Sequence, residues 1–236
     1  MADTGRKQAQ RRGPIGRLVR FAVRLVLWLV VALAVLVVVY RFVNPPVSAL
    51  MLWRMASGQS VDYHWVPLAD ISDQMPLAVI TSEDSRFCDH GGVDWNAVEI
   101  ALDESRRGGP RGASTITMQT VKNLFLWPSR SYVRKGLELP LALYADLVWS
   151  KRRTIELYLN IAEWGPGIFG IGAAAKHHFN TTPDKLTRQQ AAQLAASLPN
   201  PFDRDAGKPG PQTRRIARVI ERRMVRARPS TACLDR

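Results

Sequence analysis

The chain has 236 residues, 46% of them hydrophobic, and a formal net charge of +13. That is room for one domain of ordinary size and a membrane anchor. Up to Arg41 the chain carries Arg6, Lys7, Arg11, Arg12, Arg17, Arg20, Arg24 and Arg41 against the single acid Asp3, so this stretch holds +7 of the +13 and the remainder only +6. The larger part has no continuous basic stripe with interleaved aromatics, which argues against nucleic acid as a partner and leaves anionic lipid surfaces or phosphorylated substrates. Two cysteines, Cys88 and Cys233, make no disulfide framework and no zinc spacing. They read as two free, partly buried thiols, with a bridge as the alternative in an oxidising compartment.

Residues 1–20 read as a basic tail. Phe21 to Tyr40 is apolar apart from Arg24 near its start; twenty helical residues span ~30 Å, the thickness of a bilayer core. The run is long for a signal peptide and no A-x-A cleavage site follows, so it reads as a retained anchor. Positive charge precedes the helix, which places the N-terminus in the cytoplasm and the rest outside. Residues 41–74 form a linker that opens on Pro45-Pro46. Within it, Met51 to Met55 is a short apolar piece that either lies in the membrane interface or packs as a helix on the domain.

From Met75 the pattern is helical. One helix runs from Pro76 into Ser82-Glu83-Asp84. A second is capped by Asp94 or Asn96, and a basic glycine-rich loop, Arg106 to Gly112, follows it. Further helices cover Thr115–Asn123, a segment from Ser131 that Pro140 must kink or restart, Lys151–Asn160, Ala173–Phe179, Gln189–Leu198 and Gln212 to about Arg228. The segment Gly165 to Gly172 is rich in turns. No alternating β-branched run appears, so the class is mostly α, with the domain over 75–228 and a tail at 229–236.

Three pieces carry chemistry. Glu83-Asp84 follows an apolar helix and precedes Gly91-Gly92; a carboxylate beside apolar walls has its pKa raised and serves as a base or acid. Thr115, Gln119 and Lys122 share one helical face that suits sugar hydroxyls and a phosphate. Arg130, Arg134, Lys135 and Glu138 form either a surface ion pair worth ~0.3–0.5 kcal/mol or a cluster that neutralises a diphosphate.

Together these pieces resemble the monofunctional peptidoglycan glycosyltransferases (biosynthetic transglycosylases) and the glycosyltransferase half of bifunctional penicillin-binding proteins. EDSRFCDHGG is similar to E-D-x-x-F-x-x-H-x-G, and GASTITMQTVKNL to G-G-S-T-I-T-x-Q-x-x-K-N. RKGLE is similar to R-K-x-x-E, KRRTIELYLN to a helix ending in Y-L-N, and GIFGIGAAAKHHF to G-I-x-x-A-A-x-x-x-F. The likeness covers roughly residues 75–200. It departs from the family pattern at Ala113, Pro140 and Gly172.

The resemblance implies a lysozyme-like, mostly helical domain with a membrane-associated jaw lobe. The implied reaction is the inverting transfer of a lipid-linked glycan onto the 4-hydroxyl of lipid II, releasing undecaprenyl diphosphate. It puts Glu83 on the general base and Glu138 on a second glutamate of the donor site. Lys122, Arg130 and Lys135 fall on diphosphate cations, while Asp84, Phe87, His90, Ser114, Thr115 and Gln119 fall on positions that shape or contact substrate. No cofactor is required, although the family responds to divalent cations such as Mg or Mn; His90, His177 and His178 have no ligand spacing. Implied partners are lipid II, the lipid-linked strand, the bacterial inner membrane around a periplasmic domain, and penicillin-binding, division or elongation proteins. No transpeptidase motif (Ser-x-x-Lys, Ser-x-Asn, Lys-Thr-Gly) appears, so a monofunctional enzyme is expected. The alternatives are a lysozyme-like hydrolase or lytic transglycosylase, and an inactive membrane scaffold.

Overall fold

The structure, a computed structural model, describes residues 14–106, 112–129, 131–226 and 228–234. It divides into two units, Met1–Val39 and Tyr40–Arg236. The first unit is carried by α1 (Pro14–Tyr40), which is long and apolar enough to cross a membrane. At 27 residues it is longer than the expected span and includes Arg17 and Arg20 ahead of Arg24.

The second unit is mostly helical. The short α2 (Ala49–Ala56) is capped by Ser48, whose hydroxyl accepts from the Met51 amide at 3.2 Å. The piece packs as a helix on the domain through Leu50 and Met51, which are buried, while Leu52, Trp53 and Met55 face outward. Then follow β1 (Asp62–Tyr63), α3 (Gln74–Glu83), α4 (Trp95–Arg106), α5 (Ile116–Phe125), α6 (Tyr132–Val148) and α7 (Lys151–Ile161). Next come β2 (Glu163–Gly165), β3 (Ile168–Phe169), α8 (Gly170–Phe179), α9 (Arg188–Ser197) and α10 (Pro211–Met224). Asp94 is the cap of α4, since its Oδ1 accepts from the Ala97 amide at 3.1 Å. Thr115, Ser131, Ser150 and Thr187 cap α5, α6, α7 and α9 in the same way. Pro140 sits inside α6, which runs on without a restart.

The core forms around α3, whose residues from Met75 to Thr81 are all buried. It packs on α9 and α10. Alanines at 191, 192, 195 and 196 of α9 are fully buried and let these helices approach closely. Tyr158, Trp164, Ile171 and Phe87 extend the same core. Residues 41–74 belong to this unit. Arg153 donates to the carbonyls of Tyr40 and Val43 at 2.9 Å each, and β1 pairs with β3.

The small sheet escapes the expected all-helical pattern because its strands are two or three residues long. Its order is β1-β3-β2, with β1 parallel and β2 antiparallel to β3. Gly167 makes the β2–β3 turn at φ +74°, and a Cβ there would lie 2.2 Å from the Ser60 carbonyl oxygen. Gly167→Ala is therefore expected to destabilise the domain by roughly 1–3 kcal/mol through a strained turn and a backbone clash. Chemical denaturation checks this, and an unchanged midpoint would contradict it. Gly172, one of the departures from the family pattern, is hemmed in: a Cβ would meet the His64 carbonyl oxygen at 2.9 Å.

The cysteines are not free. Cys88 and Cys233 form a disulfide, with Cα atoms 5.6 Å apart across a sequence separation of 145. The expected tail explains it: Arg228–Leu234 is a short 3₁₀ helix packed on α3 and α7, with Leu234 buried, and it carries Cys233 to the loop after Glu83. α10 correspondingly ends at Met224, before the expected Arg228.

Candidate active site

Two neighbouring carboxylates leave the end of α3 in different environments. Asp84 departs from helical backbone (φ −158°, ψ 72°), ending the helix. Its buried carboxylate accepts from the Ile116 amide at 3.0 Å, at the N-terminus of α5, where unpaired amides and the helix dipole favour a negative charge. It also accepts from His90 Nε2 at 2.9 and 3.1 Å. Lys151 closes the far side, donating to the His90 carbonyl and to Asp146 at 2.7 Å each, with its ammonium 4.8 Å from the Phe87 ring centroid. Phe87 is fully buried. Thr115 donates to the Gly92 carbonyl at 2.6 Å and caps α5. Asp84, Phe87, His90 and Thr115 thus fasten the loop after Glu83 to the start of α5.

Glu83 points into a cleft. Its Oε2 accepts from Gln119 Nε2 at 3.0 Å, and Ser82 donates to Oε1 at 3.3 Å. The Gln119 amide is oriented by the Tyr158 hydroxyl, which donates to its Oε1 at 3.1 Å. Burial pushes the Glu83 pKa up; the bonds from Gln119 and Ser82 and the charge of Lys122 oppose that rise, and Asp84 adds to it. Burial likewise pulls Lys122 down, opposed by the charges of Glu138 and Glu83. A carboxylate held closer to neutrality is a better proton acceptor at physiological pH.

The cationic cluster gathers on a buried carboxylate, with Arg134 largely buried and Lys135 half-exposed. Glu138 is 1% exposed and pairs with Arg134 and with Lys135 Nζ at 3.2 Å. The surface-pair alternative is thereby removed. Arg134 and Lys122 line one cavity of about 340 Å³ together with Arg54 and Trp127. Arg54 is held there by Glu163, at 2.8 and 3.1 Å. Arg130 and residues 107–111 of the basic loop lie outside the described residues.

Glu83 itself lines a second cleft, of about 580 Å³, together with Ser114, Arg86, Arg223 and Arg226. Sequence reasoning missed Arg223 and Arg226: they lie at the far end of the chain, and no local spacing links them to Glu83. Among the described residues, no group of three or more His, Cys, Asp or Glu is placed to hold a metal.

Residues 51–225 match the transglycosylase family model. The chain is 59% identical over 179 residues to a biosynthetic peptidoglycan transglycosylase of Agrobacterium fabrum, covering 75% of this chain and 79% of that one. It is 50% identical over 222 residues to the protein of the same name from Brucella suis, covering 93% and 99% of the two chains. A third, from Rhizobium etli, is 55% identical over 200 residues, covering 82% and 86%. With that match spanning the helices that carry Glu83, Gln119, Lys122 and Glu138, the chain belongs to the transglycosylase family.

Proposed function

We propose that this chain polymerises peptidoglycan glycan strands, moving a lipid-linked glycan onto the 4-hydroxyl of lipid II with inversion. The observation that carries the reading is a base that shares its cleft with three arginines and feels the charge of Lys122 from a second cationic cavity. Arg86, Arg223 and Arg226 rim the Glu83 cleft, and Lys122 and Arg134 line the other cavity. A polymerase whose donor and acceptor both bear diphosphates needs two such sites. A glycosidase needs instead two carboxylates across the scissile bond, and here Asp84 is committed to α5 and His90 while Glu138 is committed to Arg134 and Lys135.

In this reading the acceptor lies in the Glu83 cleft beside Ser114, its diphosphate on Arg223 and Arg226. Ionised Glu83 takes the proton of the 4-hydroxyl as that oxygen bonds to the donor's anomeric carbon. The anomeric carbon–oxygen bond to diphosphate breaks on the opposite face, and the leaving diphosphate keeps the electron pair. Lys122, Lys135, Arg134 and, by the family resemblance, Arg130 neutralise it. Glu138 acts by holding Arg134 and Lys135 in place, and Gln119 by aligning Glu83.

The anchor with its basic N-terminal flank supports a domain on the outer face of the inner membrane. The disulfide supports the same side, since disulfides persist in oxidising compartments. Exposed Trp53, Trp127, Tyr132 and Leu137 supply amphipathic and apolar surface for a membrane-associated jaw.

Incubation with lipid II is expected to yield glycan polymer. Loss of material from finished sacculi, with no growth on lipid II, would instead establish the hydrolase. The base must be ionised, so kcat/KM falls as pH drops through the raised pKa of Glu83. Gln119 lowers that pKa, so Gln119→Leu is expected to move the acid limb of the profile to higher pH. A limb that stays in place would remove Glu83 from the role of base.

A further inference from the structure

The Glu83 cleft does not end at Arg223. Ser82 and Arg223 also line a shallower groove of about 260 Å³, whose other walls are Arg215, Ile216, Val219 and Ile220 of α10. Arg215, Val219 and Arg223 are spaced i, i+4, i+8, so cation, apolar side chain and cation follow one another along one helix face, the two arginines ~12 Å apart along the axis. Both arginines are exposed, and among the described residues no ion pair uses either. No acid lines this groove.

We propose that this groove binds the acidic peptide carried by the acceptor lipid, a reading that rests on the polymerase function above. In lipid II, the acceptor that the family resemblance implies, the sugar bearing the diphosphate also bears the peptide. With the diphosphate on Arg223 and Arg226, the peptide emerges beside Arg223, and the groove toward Arg215 continues from there. An extended peptide advances ~3.4 Å per residue, so four residues cover the distance between the two arginines. A free carboxylate of the peptide meets Arg215, and its alanyl methyl groups meet Ile216 and Val219. A flat anionic membrane surface would use the same cations but would not need a concave apolar floor joined to the cleft.

The test compares full-length wild type, Arg215→Gln and Arg218→Gln in detergent. Arg218 lies on α10 but lines a different cavity, with Gln189 and Gln193. Each protein is given lipid II with free peptide carboxylates, and lipid II with those carboxylates amidated. Wild type is expected to show a several-fold higher KM for the amidated lipid. Arg215→Gln is expected to raise KM several-fold for the free-carboxylate lipid and to leave that for the amidated lipid unchanged, while Arg218→Gln behaves as wild type. Equal KM values for wild type and Arg215→Gln on the free-carboxylate lipid would overturn the groove, as would equal shifts on both lipids. An Arg215→Gln effect confined to association with phosphatidylglycerol vesicles would assign the arginines to the membrane and overturn it too. Failure of the polymerase reading shows itself separately, as wild type that polymerises neither lipid.

Discussion

Glu83→Gln is expected to abolish polymerisation and leave the domain folded. Loss of a general base alone costs ~10²–10⁴-fold in rate, and among the described residues the nearby carboxylates Asp84, Asp94 and Glu138 are all paired and do not stand free to substitute. The fold tolerates the change for an electrostatic reason. Burial raises the Glu83 pKa, so at neutral pH the ionised side chain is a penalty that folding carries; the neutral amide removes it. The hydrogen bonds from Gln119 and Ser82 are worth ~1.5–3 kcal/mol each to a charged acceptor, and the amide oxygen of the variant can still accept one of them. Glu138→Gln is expected to behave differently. It leaves Arg134 and Lys135 without their buried counter-charge and costs about 3–5 kcal/mol of stability along with activity. Lipid II turnover and thermal unfolding, measured on both variants, separate the two roles. Undiminished turnover by Glu83→Gln would end the mechanism, and an unshifted unfolding transition in Glu138→Gln would end the account of Glu138 as the holder of the cations.

That contrast was only half legible in the sequence. The helices were readable because their apolar residues recur at helical spacing and their caps are local: Ser131 and Thr115 lie one residue ahead of the turns they cap. Glu83, Gln119 and Lys122 were readable because they sit in motifs along such helices. What a motif does not reveal is the fate of each polar group. Asp84, adjacent to Glu83, is spent on the N-terminus of an element 32 residues away. Arg223 reaches the Glu83 cleft from α10 only because the alanines of α9 let α10 pack beside α3. The strands were invisible for another reason: at two or three residues they show no alternation, and their pairing depends on a glycine turn and on residues about a hundred positions upstream.

The cysteines were misread for the same reason of distance, and they carry the second large effect. Removing the Cys88–Cys233 bridge is expected to cost about 2–5 kcal/mol, since closing a loop of this length withdraws much freedom from the unfolded chain. For a domain near 200 residues that corresponds to a fall of roughly 4–20 °C in Tm. The oxidised protein, denatured without reductant, is expected to show no free thiol. Reductant and the Cys88→Ser/Cys233→Ser variant are expected to lower Tm by similar amounts, and the variant is expected to ignore reductant. Free thiols in protein matured in an oxidising compartment, or a Tm that reductant leaves unmoved, would contradict this. The consequence reaches the site because of where the bridge is tied. Cys88 lies in the loop that sets Asp84 and His90 against α5, and Cys233 ends the segment that follows Arg223 and Arg226. Loosening it frees the wall beside Glu83 and the arginine rim together. Polymerisation by the reduced protein is therefore expected to decline at temperatures below its unfolding transition, whereas a purely global effect would track unfolding alone.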